Sequence, residues 1–586
     1  MNLSALHHLP LMEYREALPD GRVRIRLRTA REDLDKATLL HVCIYKDARF
    51  RYRFNKTPMT KVASGALHDW YQADFTPDDP RQCYLFELQK NGQTCYLDQE
   101  GIKEPEAFGE PPFGINPFAF AYVYPPRPLP AWALGKVGYQ IFPDRFRRQG
   151  PPGPGIQPWD GGEVKNHRYF GGNLQGIREA IPYLKELGVS LVYLTPIFKA
   201  HTAHRYDTAD YYQIDPMLGT LQDLKDLVTA LHQNNMRLIL DGVFNHSGTR
   251  FAPFVDAREK GPASPYYDWF FFDDSTTGYQ TFAFTAMMPK INLDHEAAAR
   301  YFLEVGRYWL RETGMDGWRL DVSPEVSPDF WRRFRREIHR ENPEALLIAE
   351  CWDDSREWVN SRDMFDGTMN YLLSRAIWRF FALSETSLAA FDSAVHHALS
   401  LYPTALLPAQ WSFLSSHDTP RLLTRADGDI HRQRLAVFFQ FTCPGLPVIY
   451  YGDELGMAGE GDPDCRRPMA WDQVGDNSTL AFYRQLAGLR NRLPALQTGA
   501  FTTLEAGEDG LYAYLRGEGE EAVLCVLYTG PYAGARPLRL PGDWAAADSL
   551  HDAWTGQRCP VADGSISLPA APGACFLFTQ VDPDNP

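Results

Sequence analysis

The sequence predicts a multidomain protein of α/β plus all-β class: a central (β/α)8 TIM barrel with a subdomain inserted after its third strand, flanked by N-terminal and C-terminal β-sandwiches. Three observations predict it. Between Val23 and Leu97, short runs such as Val23-Arg24-Ile25-Arg26-Leu27 and Cys83-Tyr84-Leu85-Phe86-Glu87-Leu88 alternate apolar and polar residues between Asp/Gly/Pro turns, the period of antiparallel strands with one buried face. After Trp132, short apolar runs ending in polar residues alternate with longer segments of helical period, which is the βα succession of a parallel sheet. From about Gly499 the alternation returns, in Leu511–Leu515 and Ala522–Leu527.

Taken in order, residues 1–123 form the first sandwich. Prolines cluster from Pro111 to Pro130 with Arg127 as the one charge, a composition that breaks a sheet and makes a semi-rigid connector able to span roughly 60 Å at about 3.1 Å per residue. Residues 124–495 form the barrel, with strands expected at Val137–Phe142, Ser190–Thr195, Arg237–Asp241, Gly317–Val322, Ala345–Glu350, Met364–Met369, Ser412–Ser416 and Pro447–Tyr451. Helices such as Leu221–Asn235, Glu296–Thr313 and Leu480–Leu493 fill the intervals. The exception follows the third strand, where residues 245–293 are long, aromatic and irregular and are expected to form the inserted subdomain. Residues 496–586 complete the second sandwich.

Composition narrows the function. The 586 residues are 44% hydrophobic and 23% charged, enough to bury a large core. A net charge of −15 argues against nucleic-acid and anionic-membrane partners, both of which require a basic field. Met1 to Arg15 shows no basic n-region and no apolar run, so no signal peptide is expected. The uncharged stretch Leu435–Gly452 is broken by Pro444, Gly445 and Pro447 and reads as a core helix, a turn and a strand. Nine scattered Cys without a CxxC pair suit reduced thiols in a cytoplasm and give no zinc spacing.

In a barrel of this class the strands' C-terminal ends carry the chemistry. Four expected strands run into carboxylates there: Asp241 before Asn245-His246, Asp321 after Arg319, Glu350 before Trp352, and Asp418 after His417. Arg319 and Asp321 are two residues apart and share one strand face. Any one of these carboxylates reads equally well as a structural group. Four together, with two His and an Arg, point to chemistry, because buried charges are costly unless paired or used. No phosphate-binding Gly loop, metal-ligand spacing or Ser/Cys–His triad accompanies them. Two carboxylates acting as nucleophile and acid point to glycosyl transfer.

The segments Asp241–His246, Gly317–Val322, Glu350 with its strand, and Phe413–Asp418 resemble the four signature regions of the α-amylase family, glycoside hydrolase family 13. The resemblance spans most of Trp132 to Trp471 and implies roles: Asp321 as nucleophile, Glu350 as general acid/base, and Asp418 as the carboxylate holding the sugar's ring hydroxyls. It also implies Arg319, His246 and His417 as hydrogen-bond partners at the cleavage subsite, Tyr206 as a stacking platform, and Asp462 and Arg466 at the non-reducing-end subsite. Met288-Pro289-Lys290-Ile291-Asn292 is similar to a segment of the neopullulanase, cyclomaltodextrinase and maltogenic amylase group, which also carries an N-terminal sandwich. Trp352 then resembles an acceptor-side aromatic, and Phe282 and Glu325 are weaker substrate-binding candidates.

Two departures stand out. Residues 147–154, Arg-Arg-Gln-Gly-Pro-Pro-Gly-Pro, lack the ligands of the calcium loop found in many relatives, so no metal and no cofactor are expected. Ser323-Pro324 stands where the subgroup usually has Ala-Asn before Glu325. The resemblance implies a cytoplasmic hydrolase of short or cyclic maltodextrins, a homodimer through its N-terminal domain, with Arg319 expected to lower the pKa of Asp321. The alternatives are a glucanotransferase or maltodextrin glucosidase on the same scaffold and, from another class, a non-catalytic glucan-binding protein.

Overall fold

The computed structural model describes the chain apart from residues 12, 19, 44, 46–52, 66, 106–114, 121–127, 284, 508, 531–533 and 582–586. Most of the expected Pro111–Pro130 connector lies outside the described residues. Two compact units emerge: Met1–Pro128 with Thr386–Leu407 and Ala506–Glu508, and the remainder, Leu129–Glu385, Pro408–Glu505 and Asp509–Pro586.

In the first unit, one antiparallel sheet joins Arg15–Ala17, Val23–Ala30, His68–Phe75 and Thr60–Ser64, and a second is built around Lys36–Cys43 and Gln82–Lys90. Val23, Ile25 and Leu27, every second residue of one strand, are buried against Leu39, Phe86 and Leu88 of the other sheet, so the period-two pattern is a sandwich interior. The segment Thr386–Leu407 joins this unit through Thr404, whose hydroxyl accepts from Arg24 and Arg26 at 2.8 Å each, and Ala405, whose N–H donates to Glu16 at 2.9 Å.

The second unit holds the barrel. Its strands are β1 (Gly138–Ile141), β2 (Leu191–Leu194), β3 (Arg237–Gly242), β4 (Gly317–Leu320), β5 (Leu346–Ala349), β6 (Gly367–Thr368), β7 (Trp411–Phe413) and β8 (Leu446–Tyr450). They pair in parallel in the order β6-β5-β4-β3-β2-β1-β8-β7, and a parallel bridge from Met369 to Trp411 joins the two edges. The expected seventh strand, Ser412–Ser416, stops earlier, at Phe413, because Ser415 and Ser416 turn their hydroxyls to cap the loop: Ser415 accepts from Leu422 N at 2.8 Å and Ser416 from Asp418 N at 3.1 Å. Gly317 opens β4 where a Cβ would meet Leu346 O at 2.1 Å. The helix Glu296–Thr313 buries Phe302, Val305, Trp309 and Leu310 on one face and ends at Gly314 in a left-handed conformation (φ +71), the usual C-terminal stop. Leu435–Gly452 resolves into the end of the helix Ile430–Thr442, a turn and β8.

After β3 the chain leaves the barrel. The helix Ala252–Lys260 and the bridges His246–Lys290, Phe270–Ile291 and Thr281–Pro289 organise this segment around Phe254, Phe270 and Tyr279. Beyond Thr498 a six-stranded sheet and the pair Gly534–Arg539 with Ser565–Ala570 enclose a core of Leu524, Val526, Leu538, Ile566 and Phe578.

Candidate active site

The C-terminal ends of β3, β4, β5 and β7 converge below a cavity of about 980 Å³. Ten side chains singled out from the sequence line it: Tyr206, His246, Phe282, Asp321, Glu325, Glu350, Trp352, Asp418, Asp462 and Arg466. Arg319 and His417 lie beneath the floor, 0% and 1% exposed.

Arg319 organises the floor. β3 and β4 pair so that Asp241 and Arg319 are register partners, and Arg319 Nη1 donates to both oxygens of Asp241 (2.8 and 2.9 Å) and to Asp321 Oδ1 (2.8 Å). Its Nη2 stands 2.9 Å from Glu350 Oε1 but off the line of a hydrogen bond, so that contact is Coulombic. Glu350 accepts from Val322 N at 2.8 Å and Trp352 Nε1 at 3.0 Å. Val322 adopts φ +45, an outlier for a β-branched residue, and this turn aims its N–H back at Glu350. Backbone strain beside the two carboxyls is thereby tied to their placement.

One guanidinium faces three carboxylates, and the electrostatics follow. Burial first, and the neighbouring Glu350 second, push Asp321 well above the ordinary carboxylate range, against the pull of Arg319. The expected direction is therefore reversed. Arg319 does favour ionisation, but it is shared, and the desolvation of a nearly buried carboxyl outweighs it. Asp241 and Asp418 are also raised, chiefly by burial.

At one side of the cavity Tyr206 stacks parallel to His417, ring centroids 5.3 Å apart, and its hydroxyl donates to Asp241 Oδ2 at 2.9 Å. Arg466 pairs with Asp462 at 2.8 Å and reaches Asp418 at 3.4 Å, while its Nε donates to His417 O at 2.8 Å. At the other side Trp352 lies flat on Tyr371 at 4.1 Å and keeps 40% of its surface exposed. Phe282 stacks on His246 at 4.8 Å. Burial, and Lys290 after it, pull His246 down to about 3. Glu325 is fixed by Lys290 Nζ (3.1 Å) and Asn245 Nδ2 (3.2 Å).

Several neighbours of the site carry weaker signals in the sequence. Asp241 reads there as a strand end without a role of its own, and the structure places it against Arg319. Gln140 and Tyr193, inside β1 and β2, bond His417 Nδ1 (2.7 Å) and Asp241 Oδ2 (2.6 Å). Their signal was there to read: a polar group in the middle of an apolar parallel strand has to face the barrel interior and find a partner. Asn166 and His167, in an irregular segment, and Trp358, in the one-turn helix Arg356–Val359, also line the cavity, and neither segment is long enough for its period to give such a signal. Among the described residues no group of three or more His, Cys, Asp or Glu is placed to hold a metal ion.

The sequence matches the α-amylase catalytic domain over residues 140–499 and the α-amylase N-terminal Ig-like domain over residues 1–124. The chain belongs to the α-amylase family. Similar proteins include a cyclomaltodextrinase of a Bacillus species, 40% identical over 549 residues that cover 90% of this chain and 95% of the relative. Neopullulanase 2 of Thermoactinomyces vulgaris is 37% identical over 585 residues, covering 98% of each. A solved cyclomaltodextrinase superposes with a TM-score of 0.90 at 36% identity, covering 99% of this chain and all of that one. The chain is a glycoside hydrolase by family, and the cavity at the strand ends is where its family relationship and its geometry coincide.

Proposed function

We propose that this enzyme is a retaining α-glucan hydrolase that cleaves glucosidic bonds of cyclodextrins, maltooligosaccharides and pullulan, and that transfers glycosyl groups to sugar acceptors as a side reaction. The observation that carries this reading is that Asp321 and Glu350 face adjacent nitrogens of one guanidinium, at 2.8 and 2.9 Å. Such neighbours fit the short separation of a retaining pair, about 5–5.5 Å, better than the 6.5–9.5 Å or so of an inverting one.

Asp321 attacks the anomeric carbon, and Glu350 protonates the departing oxygen. The reaction requires Asp321 as the anion: a neutral general acid removes the second-largest of the influences that raise it, and Arg319 favours the ionised form. Once the glycosyl ester forms, Glu350 is a carboxylate and takes a proton from water or from a sugar hydroxyl. Asp418 holds ring hydroxyls, Tyr206 stacks beneath the sugar, and His246, with a neutral ring, donates or accepts at the cleavage subsite. Arg319 and His417, out of the cavity, act through the groups that they touch. Asp462 and Arg466 bound the non-reducing end, and Trp352, Phe282 and Glu325 the acceptor side.

The same reading divides the chain at 123/124 and 495/496, takes 245–293 as the inserted subdomain, and places the protein in a cytoplasm as a homodimer through its N-terminal domain. Nine free cysteines and the full-length similarity to the relatives support it. Among the described residues no helix is long and apolar enough to cross a membrane. A time course of products from β-cyclodextrin, pullulan, maltotriose and starch tests the activity. Faster turnover of β-cyclodextrin than of starch, with products retaining α configuration, is expected, and β-configured products would reject the mechanism. Light scattering tests the assembly against a mass of twice 66.7 kDa.

A further inference from the structure

Gln140, in the middle of β1 and 1% exposed, touches neither the cavity nor any of the reacting groups. Its amide Nε2 lies 2.7 Å from His417 Nδ1. On the far side of the ring, His417 Nε2 faces two oxygens, Tyr206 Oη at 2.5 Å and Asp418 Oδ2 at 3.2 Å. Tyr206 Oη in turn lies 2.9 Å from Asp241 Oδ2, and both oxygens of Asp241 are held by Arg319.

Proton counting fixes the direction of this chain. Asp241, held at both oxygens by Arg319, and Asp418, reached by Arg466, are paired as anions with guanidiniums and have no proton to give. Tyr206 has one, and if it pointed to the ring, two bare oxygens would face each other at 2.9 Å across the Asp241 contact. Tyr206 therefore donates to Asp241, and His417 Nε2 carries the hydrogen shared by Tyr206 and Asp418. A neutral ring with its proton on Nε2 leaves Nδ1 bare, and a bare nitrogen in a closed interior needs a donor. The Gln140 amide is that donor.

We propose that Gln140 is a positioning residue that holds His417 as the neutral Nε2–H tautomer and through it orients Tyr206 and Asp418 toward the reacting sugar. This rests on the reading of Tyr206 and Asp418 as sugar-contacting groups. An imidazolium would turn an Nδ1–H against the amide hydrogens of Gln140. The surroundings act in the same sense: burial, Arg466 from the loop after β8 and Arg319 from β4 disfavour the charged ring, and Glu350 from β5 is the opposing influence. His204, beside Tyr206 in the loop after β2, is held neutral by burial as well.

Two substitutions separate this role from packing. Gln140→Glu keeps the shape but replaces the donor by an anionic acceptor, so Nδ1 takes a second proton from solvent and the ring becomes the cationic half of a carboxylate–imidazolium pair, the half that faces Asp418 and Glu350. Gln140→Leu removes the bond and leaves the proton on Nε2. The expected kcat on β-cyclodextrin at neutral pH falls about a hundredfold for Glu and about tenfold for Leu, with KM changing less than kcat. In the Glu variant the basic limb of the kcat–pH profile moves to lower pH, because a nearby cation favours loss of the acid's proton. A packing role predicts the reverse order, with the isosteric Glu the milder change and the profile unmoved. Nitrogen-15 NMR of the histidine-labelled wild-type protein, with His417 assigned by its loss in His417→Gln, reads the tautomer without substrate. Bare Nδ1 and protonated Nε2 are expected. A protonated Nδ1, or Glu milder than Leu with an unchanged profile, overturns the proposal whether or not either variant folds poorly, and it does so independently of any failure of the nucleophile assignment.

Discussion

Two buried clusters of acids and arginines sit at opposite ends of β5, and they are built in opposite ratios. At the end where the strands begin, Asp366 accepts from Arg335 Nη2 at 2.8 Å, Arg362 Nη2 at 2.9 Å and Leu347 N at 3.0 Å. At the end where the strands stop, Arg319 is surrounded by Asp241, Asp321 and Glu350. Burial acts on Asp366 as it acts on Asp321. Yet the two guanidiniums drag Asp366 down to about 2, whereas Asp321 ends well above its ordinary value. The difference is the count of partners. A carboxylate with more cations than it needs is a fixed anchor for β5 and β6, and one that shares a cation with two rivals is held ready to change protonation or form a bond. Strength of burial alone does not mark a reactive group; the charge balance around it does.

Breaking the strand-stop cluster has the largest expected effect. Asp321→Asn should cut kcat by about 10⁴-fold or more, since the amide cannot form a glycosyl ester. Its melting temperature at neutral pH should stay level or rise. The sign follows from the raised pKa: the native state holds that proton to higher pH than the unfolded chain, so ionising Asp321 costs stability as pH rises through its folded value, and Asn removes the cost. Turnover and calorimetry on one preparation check both. Next comes Glu350→Gln, which should lose about 10²- to 10⁴-fold on ordinary glucans while keeping far more of the first-step rate on aryl maltosides whose leaving group needs no proton. Equal losses on both substrates would count against the acid role.

The strand-start cluster should respond in stability and not in turnover. Asp366→Asn leaves two buried guanidiniums without their anion and is expected to cost about 3–5 kcal/mol of unfolding free energy, with kcat of the folded fraction unchanged. Urea titration beside an activity assay measures it, and a stable but inactive variant would erase the contrast between the two ends. The smallest effect is the pH dependence. Asp366 titrates near 2 when folded against 3.8 as reference, so its contribution is fully present above about pH 4 and is lost as pH falls toward 2. At 1.36 kcal/mol per unit this amounts to about 2 kcal/mol. The stability curve of Asp366→Asn should be flatter than that of the wild type by this amount across that window.

Much of the barrel was legible because parallel strands buried on both faces read as apolar runs, and the polar residue at the end of each run stands out. The two-residue spacing of Arg319 and Asp321 places them on one strand face, and in the structure Arg319 Nη1 donates to Asp321 Oδ1 as well as to Asp241. What was not legible is what three dimensions add. The ratio of charges around Arg319 depends on three strands far apart in sequence, so the net direction of the Asp321 shift was read with the wrong sign. Gln140 and Tyr193 gain their meaning from the rings and carboxylates that other strands bring to them. The end of β7 depends on serine hydroxyls turning to cap a loop, a local choice that the apolar pattern of Phe413-Leu414 hides.

The most direct test is to trap the glycosyl-enzyme. Incubating the wild-type protein with a 5-fluoro-α-maltosyl fluoride, which slows the second step more than the first, followed by proteolysis and mass spectrometry, should find one maltosyl adduct per chain on the peptide carrying Asp321, attached through its carboxylate. An adduct on Glu350, Asp418 or Asp241, or turnover with no trapped intermediate under conditions where the fluoride is consumed, would contradict the assignment of Asp321 as the nucleophile and the contrast drawn from it.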